Sequence, residues 1–287
     1  MLRPPSKLAL GLAVLASAGV YSVAAAPSAA AFTFLNSGSS VGITNDDLNK
    51  TFTVNFDGNV ATQNVSGLTS EATFKFLGFT TIAGTNRSST KTEAAFEITL
   101  SNTTSSPLLS RTSALGFDVW NFDGTSLGSG LALQGIGNSS GSGDTRSIGL
   151  FVNDTSGSFP NQFGDVDVCF TNGNTCQGGT SGGVDNNPST SNPQTGTFTA
   201  TLAFSGSVSQ FALNNFGVRY QSIDGNGFNG ASGTGKGTAV NPSAPKPPGP
   251  RQIPEPGTAS ALLLMGVGML YKSRRKQPDG PQPQFHL

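Results

Sequence analysis

The chain of 287 residues contains few side chains with the chemistry of a catalytic site. Its single histidine, His286, lies next to the C-terminal residue, which nearly excludes catalysis or metal binding that depends on histidine. Asp165 and Asp167 would share one face of a strand, about 6.5–7 Å apart, and glycoside hydrolases work with two carboxylates. We interpret this pair instead as the polar outer face of a strand. The sequence therefore predicts a non-enzymatic protein without catalytic residues, with hydrolysis by Asp165 and Asp167 as an alternative.

Asp165 and Asp167 are also the candidates for a structural calcium ion, because Ca²⁺ prefers oxygen ligands such as carboxylates. Further aspartates lie in or beside loop segments, but no EF-hand sequence accompanies any of them. We therefore predict no cofactor and no metal, with structural calcium as the alternative. These further aspartates are Asp46, Asp47, Asp144, Asp154 and Asp185.

The two cysteines, Cys169 and Cys176, are placed symmetrically about Asn172-Gly173, a dipeptide typical of a two-residue hairpin turn. Such a turn would set the cysteines directly opposite each other, with Cα atoms about 4.5–5.5 Å apart. That separation is within the range of a disulfide. We therefore predict a hairpin whose strands are joined by a Cys169–Cys176 disulfide in an oxidising compartment.

Aromatic residues with a polar group are scarce, which limits the surfaces on which a sugar could stack. Away from the two ends of the chain, only Trp120 and Tyr220 are of this type. We expect both to be buried or half-buried, and carbohydrate binding by them is an alternative function.

Threonines recur at alternate positions as Thr195, Thr197, Thr199 and Thr201. In a strand they would form a flat row of hydroxyls, the kind of row that can order water on an ice-binding sheet. Threonine is also common at exposed strand positions, and no neighbouring segment repeats the row. Ice binding is therefore a further alternative.

Alternation of apolar and polar residues with a period of two dominates the body of the chain, and no clear amphipathic helix is present. Between the alternating segments lie turn signals such as Asp57-Gly58 and Asp123-Gly124. We predict an all-β fold, an antiparallel β sandwich or jelly-roll-like single domain over residues 32–239. The predicted inward positions are Phe52, Val54 and Phe56; Phe74 and Phe76; Phe96, Ile98 and Leu100; Val166, Val168 and Phe170; and Phe198, Leu202 and Phe204.

Charge is sparse and balanced, with 16 basic and 16 acidic residues and only 11% charged residues, against about 25% in an average protein. This balance excludes an evident nucleic-acid binder, which would carry a basic excess. Residues 32–253 contain ten basic and fourteen acidic residues, a net charge of −4. Direct binding of this part to an acidic polymer is therefore disfavoured unless a cation bridges the two.

The N-terminal residues 1–31 have the order of a secretory signal peptide. Arg3 and Lys7 precede an uncharged, largely apolar run, and a segment rich in alanine follows it. Cleavage by signal peptidase after Ala31, with Ala29 at position −3, would leave Phe32 as the mature N-terminus.

The C-terminal residues follow a second ordered pattern. A proline-rich linker, residues 240–253, precedes Pro254-Glu255-Pro256-Gly257, and an apolar segment then runs over residues 259–271. A basic cluster closes the segment, so that residues 254–276 form one unit before a tail, residues 277–287, that we expect to be disordered. The basic cluster consists of Lys272, Arg274, Arg275 and Lys276.

This order resembles the PEP-CTERM sorting signal of exported bacterial proteins. The resemblance implies a short transmembrane helix in the apolar segment, held by the basic cluster on the cytoplasmic side. It also implies transient anchoring in the inner membrane, processing near Pro254-Glu255-Pro256 by an exosortase-type membrane protease, and delivery to the cell surface or extracellular matrix.

The body is similar to a group of PEP-CTERM proteins called the cistern family, through residues 158–176 and 215–223. This similarity implies an exported, mainly cyanobacterial surface protein with no established enzymatic activity. The sequence thus predicts a non-enzymatic protein of the cell surface or extracellular matrix. Its expected partners are signal peptidase, an exosortase-type protease and extracellular polysaccharide, and not a nucleic acid.

Overall fold

The computed structural model describes residues 32–84, 89–137 and 141–240. These residues form sixteen strands and two short 3-10 helices, Asn36–Gly38 and Asn45–Asp47. In chain order the strands are β1 (Thr33–Leu35), β2 (Ser40–Thr44), β3 (Thr51–Phe56), β4 (Asn59–Val60), β5 (Gln63–Asn64), β6 (Ser70–Ile82), β7 (Lys91–Asn102), β8 (Leu109–Phe122), β9 (Leu127–Gly130), β10 (Arg146–Gly149), β11 (Asn153–Phe159), β12 (Gly164–Thr171), β13 (Val184–Asp185), β14 (Thr195–Ser205), β15 (Gln210–Gly225) and β16 (Phe228–Val240).

The strands build two layers, and every pairing among the described residues is antiparallel. The first sheet has the order β16-β15-β8-β12-β11, with β2, β9 and β13 on its margins. The second sheet has the order β16-β3-β6-β7-β14-β10. The predicted all-β, antiparallel sandwich is confirmed.

One strand, β16, belongs to both sheets. Its residues up to Lys236 pair with β15, and Gly237 to Val240 pair with β3. At the crossing, a Cβ on Gly237 would lie 2.5 Å from Val54 of the second sheet and 2.7 Å from Phe216 of the first. Only glycine allows the two sheets to approach this closely, so the strand can pass from one to the other.

Period-two alternation places one face of each strand in the core, as the sequence predicts. On β3, Phe52, Val54 and Phe56 are buried, while Thr53 is partly exposed and Asn55 is exposed. The same holds for β6, β7 and β14, whose predicted inward residues are all buried. These strands pack their apolar face against the first sheet and turn their polar face to solvent.

Phenylalanine rings from both sheets meet at the centre of the core. Phe74 of β6 stacks on Phe52 with ring centroids 4.8 Å apart and planes 7° from parallel. The same ring meets Phe117 of β8 at 6.1 Å and Phe216 of β15 at 5.8 Å, both edge-on. Such offset and edge-on pairs are the favoured aromatic geometries, so Phe74 joins the two layers.

A second aromatic contact joins the two layers at β10 and β11, the first and last strands of the path through the sheets. The consecutive strands β10 and β11 end the path through the two sheets and are linked only by residues 150–152. The ring centroid of Phe151 in this link lies 5.1 Å from that of Phe198 in the second sheet. The ring centroid of Phe198 lies 5.6 Å from that of Phe170 in the first sheet. The link therefore covers the end of the core between the layers.

Replacing Phe74 by alanine should lower the free energy of unfolding by about 3–5 kcal/mol, because it empties a fully buried position that contacts both sheets. The matched control is Thr73→Ala, at the neighbouring position on the outward face of β6, which should cost less than about 1 kcal/mol. Urea unfolding followed by circular dichroism measures both. Equal losses in the two variants would contradict the role assigned to Phe74.

Candidate functional site

The outer face of the first sheet, opposite the core, carries the carboxylate pair Asp165 and Asp167 and the ring of Trp120. On β8, Phe117 and Val119 are buried in the core. The alternate residues Asp118 and Trp120 are half-buried on the outer face. The strand alternation alone therefore brings a carboxylate and an indole to the same surface.

A bulge in β12 changes which side chains reach this face. Cys169 pairs with Thr155 and Val166 with Gly157, so that β12 contains one residue more than β11 between the two pairs. The main-chain N–H of Asp167 consequently donates to Asp118 Oδ1 at 3.1 Å. Such an extra residue shifts the alternation that follows it.

The predicted common face for Val166, Val168 and Phe170 is therefore wrong. Val168 and Phe170 lie in the main core, but Val166 packs on the outer face. The physical reason is the bulge, because side chains on its two sides no longer follow a single period of two.

Asp165 and Asp167 accept hydrogen bonds from the sheet itself. Asp167 Oδ2 accepts the main-chain N–H of Val119 at 2.8 Å, and Asp165 accepts the hydroxyl of Ser158. Burial raises the pKa of the nearby Asp118 above its usual value, and the negative charges of Asp167 and Asp165 add to this effect. The carboxylates thus form part of the polar, outward side of the sheet.

Metal ligands do not gather around these aspartates in the part of the chain that the structure describes. Within it, no three carboxylate, histidine or cysteine groups lie in an arrangement that could hold a metal ion. The calcium candidates Asp165 and Asp167 are instead placed beside Asp118 and Asn215, whose amide donates to Asp118 Oδ2 at 3.1 Å.

The disulfide between Cys169 and Cys176 is present, with Cα atoms 5.8 Å apart. The predicted hairpin is wrong, because β12 ends at Thr171 and residues 172–177 form turns. Both edges of β12 are already occupied, by β11 and β8. In addition, the Asn172 side chain donates to Leu150 O at 2.8 Å, so Asn172 is fastened to the link between β10 and β11.

A small apolar cluster surrounds the disulfide on the outer face. Both cysteines are buried, and they pack with Ala114 of β8 and with residues of β11, β12 and the turn between these two strands. We call this group the disulfide cluster; its other members are Phe159, Val166 and the partly buried Phe163. The first sheet is therefore covered on both sides at this point.

Two buried arginines fasten the long segment 172–183 to the same face. Arg111 donates to the carbonyl oxygens of Gly182 and Gly179 at 2.7 and 2.8 Å. Arg219 donates to Gln177 O at 3.1 Å and to Gly233 O at 2.8 Å. Burial lowers the pKa of both guanidinium groups. Sequence patterns give no sign of these contacts, because they join residues far apart in the chain.

A cleft of about 470 Å³ opens beside Trp120. The ring is half-buried, as expected, and its indole N–H has no hydrogen-bond partner among the described residues. Asn214 on the neighbouring strand β15 also lines the cleft, and the Ser40 hydroxyl donates to its Oδ1 at 2.9 Å. The cleft is lined by Leu35, Asn36, Trp120, Thr125, Ser126, Leu127 and Asn214.

Tyr220, the second aromatic candidate for sugar stacking, is completely buried in the main core. Its hydroxyl donates to Asp57 O at 3.0 Å, and burial strongly raises its pKa. Tyr220 is therefore excluded as a sugar platform, and the expectation that it is a core residue is confirmed.

The outer face of the second sheet carries a row of threonines that crosses four strands. Thr53, Thr73, Thr99 and Thr197 are successive cross-strand partners on β3, β6, β7 and β14. Their hydroxyls pair at 3.3 Å between Thr53 and Thr73 and at 3.0 Å between Thr99 and Thr197. Of the expected row along β14, only Thr197 continues into a neighbouring threonine, and Thr201 is buried, so the four threonines do not form one exposed row.

Several predicted sites lie outside the described residues. They are the signal peptide with Ala29 and Ala31, the motif Pro254, Glu255, Pro256 and Gly257, and the basic cluster Lys272, Arg274, Arg275 and Lys276. Among the described residues, no helix has the length and apolar character needed to cross a bilayer.

Comparison with known families gives one match. Residues 252–276 match the PEP-CTERM protein-sorting motif. Neither the curated proteins nor the solved structures contain a match to the chain. The predicted sorting signal is confirmed: the protein is exported, is anchored transiently in the membrane by its C-terminal signal, is processed by an exosortase-type protease and reaches the cell surface.

Replacing both Cys169 and Cys176 by serine should lower the free energy of unfolding by about 2–3 kcal/mol, because the disulfide closes only a short loop. Segment 172–183 should also be cut faster by proteases, since Cys176 ties its beginning to β12. Thermal unfolding with and without reductant tests this, with the double variant as the control that reductant cannot change. A wild-type protein whose unfolding temperature is unaffected by reductant would refute it.

Proposed function

We propose that this protein is a non-enzymatic module of the cell surface or extracellular matrix. The observation that carries the proposal is the sorting motif at residues 252–276, which follows directly on a β-sandwich and a proline-rich linker. The hydrogen bonds that occupy Asp165 and Asp167 within the sheet support a structural role for the one carboxylate pair that suggested hydrolysis.

The route to the surface has three steps. Signal peptidase removes residues 1–31 after Ala31. The apolar segment 259–271 then holds the protein in the inner membrane, with the basic cluster on the cytoplasmic side. An exosortase-type protease finally cuts near Pro254-Glu255-Pro256, where prolines prevent a helix and keep the main chain accessible.

The delivered protein differs in charge from its precursor. Removal of both ends takes away the basic residues of the signal peptide and of the basic cluster, and leaves ten basic and fourteen acidic residues in segment 32–253. The similarity of residues 158–176 and 215–223 to the cistern family of PEP-CTERM proteins agrees with this assignment as a surface protein.

Mass spectrometry of protein released from the cell surface should find a C-terminus near residues 254–256 and no peptide from residues 272–287. Glu255→Ala should leave more of the uncut, membrane-bound form, whereas the matched control Asp279→Ala, in the tail, should be processed normally. A surface-released protein that still carries Lys272 to Leu287 would refute the sorting route.

Carbohydrate binding in the extracellular polymer is a second candidate function, supported by the cleft beside Trp120. The half-buried indole offers a flat apolar surface and an unused N–H donor, and Asn36 and Asn214 add amide groups on the walls. Rings of this kind stack on sugars while their polar edge donates a hydrogen bond.

Trp120→Ala should reduce binding of the mature protein to the isolated exopolysaccharide by about tenfold, equivalent to about 1.4 kcal/mol. Trp120→Phe keeps a ring but removes the N–H donor, and should lose less. Affinity electrophoresis in gels containing the polymer measures both variants. Undiminished binding by Trp120→Ala would exclude this cleft.

Ice binding has one supporting feature, the single line of threonines that crosses the second sheet with one threonine on each of four strands. Charged residues flank that row, however, with Lys75 paired to Glu97 at 4.0 Å beside it. A charged border interrupts a regular array of hydroxyls, and we therefore place this candidate behind carbohydrate binding.

A further inference from the structure

A second cleft opens on the outer face of the first sheet, beside the disulfide cluster. Its volume is about 200 Å³, smaller than the roughly 300 Å³ at which pockets for drug-sized molecules begin. Three asparagine amides, one carboxylate, one ammonium group and one aromatic ring surround it. We call it the asparagine cleft; its lining residues are Asp57, Asn59, Asn64, Asn161, Phe163, Thr234 and Lys236.

The walls of the asparagine cleft are fixed by contacts between separate parts of the chain. The Asn161 amide donates to Asn59 O at 3.4 Å, and the Thr234 hydroxyl donates to Pro160 O at 3.1 Å. The main-chain N–H of Lys236 donates to Asp57 Oδ1 at 2.6 Å. The cleft is therefore formed before any ligand binds, which lowers the entropic cost of binding.

The aromatic wall depends on the disulfide cluster. Phe163 meets Phe159 edge-on at 5.4 Å, and Phe159 packs with the two cysteines. The ring of Phe163 also lies over Gly217, where an added Cβ would approach it to 2.5 Å. Glycine at this position of β15 thus lets the ring lie down on the sheet and line the cleft.

Two residues that line the asparagine cleft each have a polar side-chain group without a partner among the described residues. Asn59 Oδ1 is buried and accepts no hydrogen bond, the one buried side-chain atom of the described residues in this condition. The Lys236 ammonium group forms no ion pair within the described residues. A buried acceptor without a donor costs stability, and native proteins keep such a group where a ligand or water completes it.

The chemistry of the cleft selects among ligands. A metal ion is disfavoured, because only one carboxylate is present and the lining also includes the cationic Lys236. A simple anion is disfavoured by Asp57. A neutral sugar is compatible with both the carboxylate and the ammonium group. Its hydroxyls can donate to Asn59 Oδ1 and to the Asp57 carboxylate, and they can accept from the amides and from Lys236.

We propose that the asparagine cleft binds one unit of a neutral polysaccharide, with the apolar face of the sugar ring against Phe163. The proposal rests on the proposed surface location, where the protein meets such polymers, but not on the cleft beside Trp120. A rotation of the partly exposed Asn59 side chain presents its Oδ1 to a sugar hydroxyl, and Asn64, Asn161 and Lys236 donate to neighbouring ring or hydroxyl oxygens.

The experiment is affinity electrophoresis of the mature protein in gels containing dextran, a mannan or a galactan, with alginate as the acidic polymer. At least one neutral polymer should retard the protein. Asn59→Ala should weaken that binding about tenfold or more, while its unfolding temperature stays equal to or above that of the wild type, because the variant removes an unpaired buried group.

Lys236→Ala provides an independent variant at an exposed position of the asparagine cleft. It should weaken binding severalfold, whereas the matched control Lys75→Ala, on the outer face of the second sheet, should not. The unfolding temperature of all three variants shows that each is folded.

The outcomes separate this proposal from the others. Retardation by a neutral polymer that Trp120→Ala abolishes and Asn59→Ala leaves unchanged would overturn it and leave sugar binding to the Trp120 cleft. Binding to alginate alone would overturn the neutral ligand. If Asn59→Ala stabilises the protein and no polymer retards the wild type, Asn59 Oδ1 binds water only and the sugar proposal is overturned. The sorting route is tested separately, by the mass of the released protein.

Discussion

The contact of phenylalanine rings between the two sheets is the interaction on which the rest of the structure depends. Phe74 and Phe52 of the second sheet meet Phe117 and Phe216 of the first, and this contact decides which face of each strand is inside. Because side chains alternate along a strand, burying Phe117 directs Asp118 and Trp120 outward. The polar surfaces of the molecule are therefore consequences of its aromatic core.

A second set of contacts lies on the outer face of the first sheet. The bulge in β12 turns Val166 outward, and the disulfide cluster that it joins supports Phe163 over Gly217. Lys236, Gly217 and Gly116 are successive cross-strand partners, and Trp120 lies four residues from Gly116 on β8. At about 3.3 Å per residue this is roughly 13 Å along the strand, so both clefts open on one face within reach of a single polymer chain.

What the sequence predicts well is local. The alternation on β3, β6, β7 and β14 gives the inward residues, and the sorting segment is identified from the order and composition of its residues alone. The cysteine pairing is also correct, although the hairpin offered as its reason is not, because Asn172 is fastened to a different part of the chain. A turn signal carries no information on whether the edges of the preceding strand are already occupied.

The features that the sequence does not give depend on register between distant strands. The row from Thr53 to Thr197 exists only because four strands align in one register, and the asparagine cleft brings Asn59, Asn161 and Lys236 together from separate loops and strands. The bulge in β12 is equally invisible in an alternating sequence. These properties follow from tertiary pairing, since a shift of one residue would turn each of these side chains to the other face.

The position of β16 links folding to export. As the last described strand it completes both sheets, so the sandwich cannot close until residues 228–240 have left the membrane. The apolar segment begins only at residue 259, so eighteen residues separate it from β16, and a chain of that length can reach at most about 60 Å. That distance is sufficient for the domain to fold beside the bilayer while it is still tethered.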